Sequence, residues 1–241
     1  MSIPWYNAPT SPAWLVTHSV IAMISGYRTA TIGIQSPNKD PATQTRYKEN
    51  AFVVFMLVLL PKAIQVYIGV ALAFMAARAG LALAYPDVLA KICTSCPPLW
   101  LTLCGITGSL LGWAGTELRV WCYAALGEYF TFRLAVQDKQ PLITTGPYTY
   151  LRHPSYLGGL LQGLGMELSM ILCNPISLCY GRNLFKYSEQ LETAFLILMF
   201  VAPVAALVRR IGGEERMLKA KFGKEYTEWE SRTWRLIPFV Y

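Results

Sequence analysis

The amino-acid sequence predicts an all-α integral membrane protein with about five transmembrane helices and a C-terminal cytosolic helical cap. Of its 241 residues, 54% are hydrophobic and 15% are charged, whereas an ordinary soluble domain carries about 25% charged residues. The apolar residues are concentrated in runs, and a run of about 20 is long enough to cross a bilayer. This composition excludes a disordered chain and a secreted disulfide scaffold.

Five segments have the length and composition of a membrane-spanning helix. They are 13–34, 51–77, 99–118, 156–180 and 191–208. The stretch 78–98 is ambiguous, and a sixth, partial span there stays open. We expect one domain over 1–241, with N-terminal transmembrane helices in 1–98 and the catalytic region in 99–241.

The distribution of Lys and Arg predicts the orientation in the membrane. Fifteen of these residues lie in the connections 36–50 and 119–154 and in the tail 209–241, against four in 78–97 and 181–190. Because cytoplasmic connections carry the excess of positive charge, the basic connections and the C-terminus are predicted to be cytosolic. The basic residues do not form one stripe, so no nucleic-acid partner is expected.

The sequence offers little to a metal ion. Only Cys93 and Cys96, of six cysteines, form a CxxC pair, and the chain has two histidines, His18 and His153. A structural zinc site needs four such ligands, so we expect no metal site and cysteines that act as small apolar residues.

Four polar clusters interrupt the apolar pattern. Glu117 and Arg119 end the third span, where an ionisable residue either faces a cavity or snorkels to the interface. The turn 142–148, LITTGPY, exposes backbone groups. In the third cluster a helix is predicted to begin near Pro154, which places Arg152 and His153 at an N-terminus that favours anions.

The fourth cluster is RRIGGEE at 209–215. An amphipathic helix is predicted to follow, because the apolar residues Leu218, Phe222, Tyr226 and Trp229 have helical spacing. Glu214 and Glu215 would lie in its first turn, where the helix dipole explains them. Alternatively, one of them accepts hydrogen bonds from a bound ligand. The tail from Arg216 to Tyr241 is expected to close over the ligand, because its apolar side chains otherwise lack a partner.

The motif RHPSYLG at 152–158, preceded by LITTGPY and followed by RIGGEE and a terminal LIPF, resembles the isoprenylcysteine carboxyl methyltransferase family. The resemblance covers roughly 119–241. It implies a multi-pass enzyme of the endoplasmic reticulum membrane, embedded in the lipid bilayer, that uses S-adenosylmethionine. The implied substrates are prenylated CaaX proteins or small prenylcysteines, methylated on the C-terminal carboxylate.

Carried over by position, the family's residues imply a site. Arg119 is similar to the arginine that holds the substrate carboxylate, and Glu214 is the second predicted catalytic residue. Glu214 and Glu215 resemble the glutamates near the cofactor. The remaining predicted cofactor-binding residues are Gln137, Leu142, Ile143, Thr144, Gly146, Tyr148, His153 and Pro154. The sequence departs from the family pattern at Gln140, Gln162 and Glu167.

The chemistry implied needs no general base, because a C-terminal carboxyl with a pKa of about 3.5 is ionised at neutral pH. It needs alignment and an arginine fork that holds the carboxylate. Three alternatives stay open: a phospholipid N-methyltransferase, a sterol reductase-like protein that binds a dinucleotide, and a membrane scaffold without activity.

Overall fold

A computed structural model describes residues 20–21, 23–33, 45–46, 69, 73, 76–77, 80, 83–85, 99–131, 135–137, 139–171 and 188–239. Four α-helices dominate these residues: α1 (Leu99–Leu126), α2 (Pro154–Met166), α3 (Ser188–Phe222) and α4 (Lys224–Ser231). The α-helical class predicted from the sequence is therefore confirmed for the described residues. The CxxC pair and His18 lie outside them.

Shorter elements join the helices. Turns of 3₁₀-helix form at Gly127–Tyr129 and Gly146–Thr149, and π-helical turns form at Thr29–Gly33 and Glu167–Ile171. The described residues also contain a small antiparallel ladder, in which β1 (Thr45–Arg46) pairs with β2 (Ala135–Val136). None of the helices in the described ranges is long and apolar enough to cross a membrane.

Glycine residues let α1 and α2 pack with their backbones in close approach. A Cβ atom at Gly115 would lie 2.5 Å from the Gly158 carbonyl oxygen, and one at Gly108 would lie 2.8 Å from the Gly165 carbonyl oxygen. Both distances are shorter than real Cβ contacts, so only glycine fits. Close approach through small residues is a recurrent mode of helix association in membranes.

Buried polar side chains join the N-terminal helical residues to this pair of helices. The Thr116 hydroxyl lies 3.0 Å from the Thr29 hydroxyl and accepts a hydrogen bond of 2.9 Å from the Gln162 amide. The Ser25 hydroxyl donates to the Ser109 carbonyl at 2.8 Å. Because buried polar groups are costly without partners, these bonds fix the register between the elements.

The helix α3 differs from the prediction. It runs without interruption from Ser188 to Phe222, through the predicted fifth span and the Gly212-Gly213 pair, and no new helix begins at 214. Glu214 and Glu215 therefore lie well inside a 35-residue helix, and the helix-dipole explanation for them is wrong. The predicted amphipathic helix is also divided, because Gly223, with φ of 54°, separates α3 from α4.

The C-terminal segment returns to the start of α2. Trp234 forms an isolated parallel bridge with Leu151. The Arg152 amide donates to the Trp234 carbonyl at 2.8 Å, and the Trp234 amide donates to the Tyr150 carbonyl at 3.1 Å. The bridge brings the tail against the segment that precedes Pro154.

Candidate functional site

His153 lies at the centre of a charged cluster, where the start of α2, the helix α3 and the last described residues of the tail, 232–239, meet. It precedes the first residue of α2, which begins at Pro154 as predicted, and it is 3% exposed. Its Nε2 lies 3.4 Å from Glu215 Oε1, and its Nδ1 lies 3.7 Å from Glu214 Oε2. The ring stacks on Tyr156, with centroids 5.4 Å apart. One imidazole thus faces two carboxylates, both named from the sequence as site residues.

Glu215 is the most heavily paired carboxylate of the cluster. Arg235 Nε donates to its two oxygens at 3.0 and 2.9 Å, and Arg152 Nε lies 3.1 Å from Oε1. Burial alone raises the pKa of the carboxyl. The hydrogen bonds from His153 and Arg235, together with the charges of His153 and Arg152, outweigh that effect and lower the pKa to about 2. Glu215 is consequently an anion throughout the physiological pH range.

Glu214 has a different environment. Its Oε2 accepts a hydrogen bond of 2.6 Å from the Tyr156 hydroxyl, which in turn accepts one of 2.8 Å from Arg210 Nε. Its side chain is 26% exposed, against 9% for Glu215. Within the described residues no donor reaches the second oxygen of Glu214, so this carboxylate can accept further hydrogen bonds.

An apolar cluster adjoins the charged one. Its buried members are Cys122, Tyr148, Tyr226 and Trp229, and Leu142, Ile143, Leu218 and Phe222 pack against them. The apolar side chains Leu218, Phe222, Tyr226 and Trp229 all belong to this cluster, although they lie on two helices. Burial, and then the nearby Cys122 and Glu214, raise the pKa of Tyr148 well above its usual value, so its hydroxyl stays protonated.

The other predicted cofactor-binding residues occupy the turns before α2. Gly146 has φ of 63°, as expected for the Gly-Pro turn, and a Cβ there would lie 3.3 Å from Trp121 Nε1. The Thr144 carbonyl accepts a hydrogen bond from the Thr149 hydroxyl. Gln137 bonds instead to Gln140, Glu128 and Lys221, and no contact of it with the charged cluster is seen in the described residues.

Arg119 lies on α1 beside the second turn of α2. Its Nε donates to the Tyr123 hydroxyl at 2.9 Å, and its Nη1 lies 3.1 Å from the position of a Cβ on Gly159. Glu117 pairs with Arg28, whose Nε and Nη2 bind its two oxygens at 2.6 and 2.9 Å. Residues two positions apart on a helix do not face each other, and Glu117 is engaged by Arg28 on another element.

Three arginines that shape the site were not singled out as site residues from the sequence. Arg210 and Arg235 bind Tyr156 and Glu215, and Arg28 binds Glu117 from a position 89 residues away. No periodicity identifies such long-range partners. Tyr156, in contrast, belongs to the RHPSY motif, and that motif is a signal in the sequence from which it could have been recognised as a site residue.

Two buried donors of the cluster remain without an aligned acceptor in the described residues, Arg152 Nε and the Tyr226 hydroxyl. The pKa of the Tyr226 hydroxyl is raised by burial and then by the charge of Glu215. The Tyr226 hydroxyl therefore stays protonated and can donate a hydrogen bond close to the charge of Glu215. Arg152 Nε is already ion-paired with Glu215 at 3.1 Å, so the Tyr226 hydroxyl is the donor that an acceptor oxygen of a ligand would match.

Comparison with known proteins adds to this geometry. Residues 110–188 match the model of the isoprenylcysteine carboxyl methyltransferase family. The resemblance found in the sequence is confirmed. The matched segment begins within α1 and ends at the first residue of α3, and it contains Arg119 and His153.

Several curated relatives carry the same kind of name. Protein-S-isoprenylcysteine O-methyltransferase B of Arabidopsis thaliana is 32% identical over 58% of this chain and 61% of its own length. The Saccharomyces cerevisiae protein-S-isoprenylcysteine O-methyltransferase is 30% identical over 57% of this chain and 50% of its own length. The Homo sapiens protein of that name is 27% identical over 58% and 43%. The chain thus spans about half the length of the curated relatives it matches.

Proposed function

We propose that this protein transfers a methyl group from S-adenosylmethionine to the C-terminal carboxylate of a prenylated cysteine. The observation that carries the proposal is the family match over 110–188, together with the charged cluster that closes on the RHPSY motif inside that match. The relatives are named as methyltransferases of isoprenylcysteine, which implies a methyl donor and a prenylcysteine acceptor for this chain too.

The charged cluster fits S-adenosylmethionine by the chemistry of its groups. The ligand carries a positive sulfonium, an ammonium group, hydroxyl donors and a carboxylate. Glu214 offers an acceptor oxygen, and the Tyr226 hydroxyl is a buried donor without an acceptor in the described residues. When bound, the donor supplies an electrophilic methyl group on the sulfonium. We assign it to Leu142, Ile143, Thr144, Gly146, Tyr148, His153, Pro154, Glu214 and Glu215, with Gln137 at the edge.

Within this site the two glutamates have different roles. Glu215 is occupied by Arg152, Arg235 and His153, and we propose that it orients the imidazole. Glu214 accepts a hydrogen bond from the Tyr156 hydroxyl and is the more exposed of the two, so it has the capacity to bind donor groups of the ligand. An anionic glutamate also favours a positive sulfonium nearby, since opposite charges attract more strongly where water is excluded.

Arg119 is proposed to hold the substrate carboxylate. A guanidinium offers two parallel N–H donors to a carboxylate and stays charged at every relevant pH. Contact with Gly159 places it one to two helical turns along α2 from His153. Because the carboxylate is already ionised, the residues need only align it with the methyl group and exclude water. Correct alignment can contribute about 7–11 kcal/mol to catalysis.

We further propose that the chain is a multi-pass protein of the endoplasmic reticulum membrane with a cytosolic C-terminus. The supports are the apolar segments and the excess of Lys and Arg in the connections 36–50 and 119–154 and in the segment 209–241. A prenyl chain would then enter from lipid, and the charged methyl donor would enter from water. The N-terminal residues 1–98 are assigned to membrane helices, and residues 99–241 are assigned to catalysis.

The proposal is tested with the full chain purified in detergent and reconstituted in lipid nanodiscs. Radiolabelled methyl donor is offered with N-acetyl-farnesylcysteine or with phosphatidylethanolamine as acceptor. Label in farnesylcysteine methyl ester that is labile to base supports the proposal. Label only in the phospholipid favours the N-methyltransferase alternative, and donor bound without transfer to either acceptor contradicts both enzymes.

The site assignment is tested separately by His153→Ala. We expect the dissociation constant for S-adenosylmethionine, measured by calorimetry, to rise at least tenfold, because the imidazole and the position of both glutamates are lost. Arg232→Gln is the control, since Arg232 is exposed and lies in the same tail. Unchanged donor affinity in a folded His153→Ala variant would remove His153 from the site.

A further inference from the structure

Arg235 is linked to His153 in two ways: its carbonyl binds the His153 amide, and its side chain binds Glu215, which faces the imidazole. We propose that Arg235 is a positioning residue, which fixes His153 and compensates the carboxylate that faces its imidazole. The inference depends on the proposed function only for the statement that His153 belongs to the methyl-donor site. Arg235 lies 82 residues beyond His153 in the sequence and outside the segment 110–188 that matches the family model.

The main-chain contact holds His153 at the start of α2. The His153 amide donates a hydrogen bond of 3.1 Å to the Arg235 carbonyl, next to the bond from the Arg152 amide to the Trp234 carbonyl. These are the last two residues before the helix. The backbone of His153 therefore depends on the tail for its hydrogen bond, which α2 itself cannot supply.

The side-chain contact acts through Glu215. Arg235 Nε donates to both oxygens of Glu215, and its Nη2 also bonds to Oε2. A guanidinium fork restrains the plane of a carboxylate. Because Oε1 of that carboxylate lies 3.4 Å from His153 Nε2, the orientation of Glu215 determines where its negative charge lies relative to the imidazole ring.

The charges around His153 give this arrangement a measurable consequence. Two anions face the ring, Glu215 on Nε2 and Glu214 on Nδ1. Three cations oppose them: Arg152 and Arg235 on Glu215, and Arg210 through Tyr156, whose ring stacks on the imidazole. An uncompensated carboxylate favours the protonated form of a neighbouring imidazole. Removal of Arg235 should thus make His153 take up a proton at higher pH.

The chain is well suited to this measurement because His18 is its only other histidine. The full chain, labelled with ¹⁵N-histidine in detergent micelles, is titrated by NMR, and a His18→Gln sample assigns the remaining imidazole. Arg235→Gln is expected to move the His153 titration to higher pH and to weaken donor binding several-fold. Arg235→Lys keeps a cation but loses the fork, so it should give a smaller change in the same direction.

Arg232→Gln is the matched control, because it makes the same change of charge at an exposed position three residues earlier. Its titration curve should coincide with that of the wild type. Coincident curves for wild type and a folded Arg235→Gln variant would overturn the inference. Should Arg235→Gln not fold, the Arg235→Lys curve decides in the same way. A displaced titration with unchanged donor affinity would support Arg235 as the positioning residue and contradict the assignment of His153 to the donor site.

Discussion

Substitution of Glu215 by glutamine should destabilise the protein and reduce its sensitivity to acid. Glutamine keeps the shape of the side chain but removes the charge that Arg152, Arg235 and His153 share. The Glu215 pKa is about 2, against about 4.3 for an unpaired glutamate. This difference corresponds to about 3 kcal/mol of stability at neutral pH. A loss of that size lowers the melting temperature of a chain of this length by roughly 6–12 °C.

The pH dependence follows from the sign of the pKa change. A carboxyl whose pKa is lowered on folding stabilises the folded state fully above about pH 4.3, its unfolded value. That stabilisation is lost as the pH falls towards about 2. The melting temperature of the wild type should therefore approach that of Glu215→Gln over this interval, and the two should differ by a constant amount above it.

Thermal melting in detergent, followed by tryptophan fluorescence between about pH 2 and 7, measures both effects. Glu228→Gln provides the control, because Glu228 is exposed on α4 and its substitution should change the melting temperature by little. A Glu215→Gln variant that melts within about 1 °C of the wild type at neutral pH would refute the reasoning, since the buried ion pairs would then contribute nothing net.

Three further predictions concern activity and packing. Arg119→Ala should reduce prenylcysteine methylation at least a hundredfold and leave the affinity for the methyl donor unchanged. Arg119→Lys should restore only part of the methylation rate, because an ammonium lacks the two parallel donors of a guanidinium. Normal turnover in both variants would show that another residue holds the carboxylate. Gly115→Ala should lower the stability of the fold by about 1–3 kcal/mol through overpacking, since its Cβ would meet the backbone of Gly158. The control Gly163→Ala should be neutral or slightly stabilising, because nothing lies within 4 Å of its Cβ. Equal melting temperatures of the two variants would contradict the close approach. Deletion of 236–241 should impair methylation because it removes the buried Leu236, and wild-type rates in the truncated protein would count against a closing role for the tail.

Local features of the site could be predicted from the sequence. The Gly-Pro turn at Gly146 and the start of α2 at Pro154 depend on backbone preferences of a few consecutive residues. The packing of Leu218 and Trp229 against other apolar residues follows from hydrophobic spacing. These features could be predicted because the residues that cause them lie within one or two helical turns of each other in the sequence.

The remaining features depend on distant partners. The Gly212-Gly213 pair costs roughly 2 kcal/mol in a helix interior, which favoured a break before Glu214. In the structure the neighbouring residues Arg210, Glu214 and Glu215 all bond to the region 152–156, and these contacts offset the cost. Tertiary bonds of this kind, like the pairing of Arg28 with Glu117, leave no local pattern in the sequence.

The close approach of α1 and α2 also determines which segments of the proposed enzyme can move. Backbone contacts through Gly115, Gly158 and Gly165 leave no space for one helix to slide on the other. Arg119 on α1 and the first turns of α2 are thereby carried on one closely packed unit. If the protein binds a methyl donor as proposed, the elements with room to open around it are α3 and the C-terminal residues 232–239. The ion pairs from Glu215 on α3 to Arg152 and His153 join α3 to the start of α2, so an opening between these two elements would have to break them.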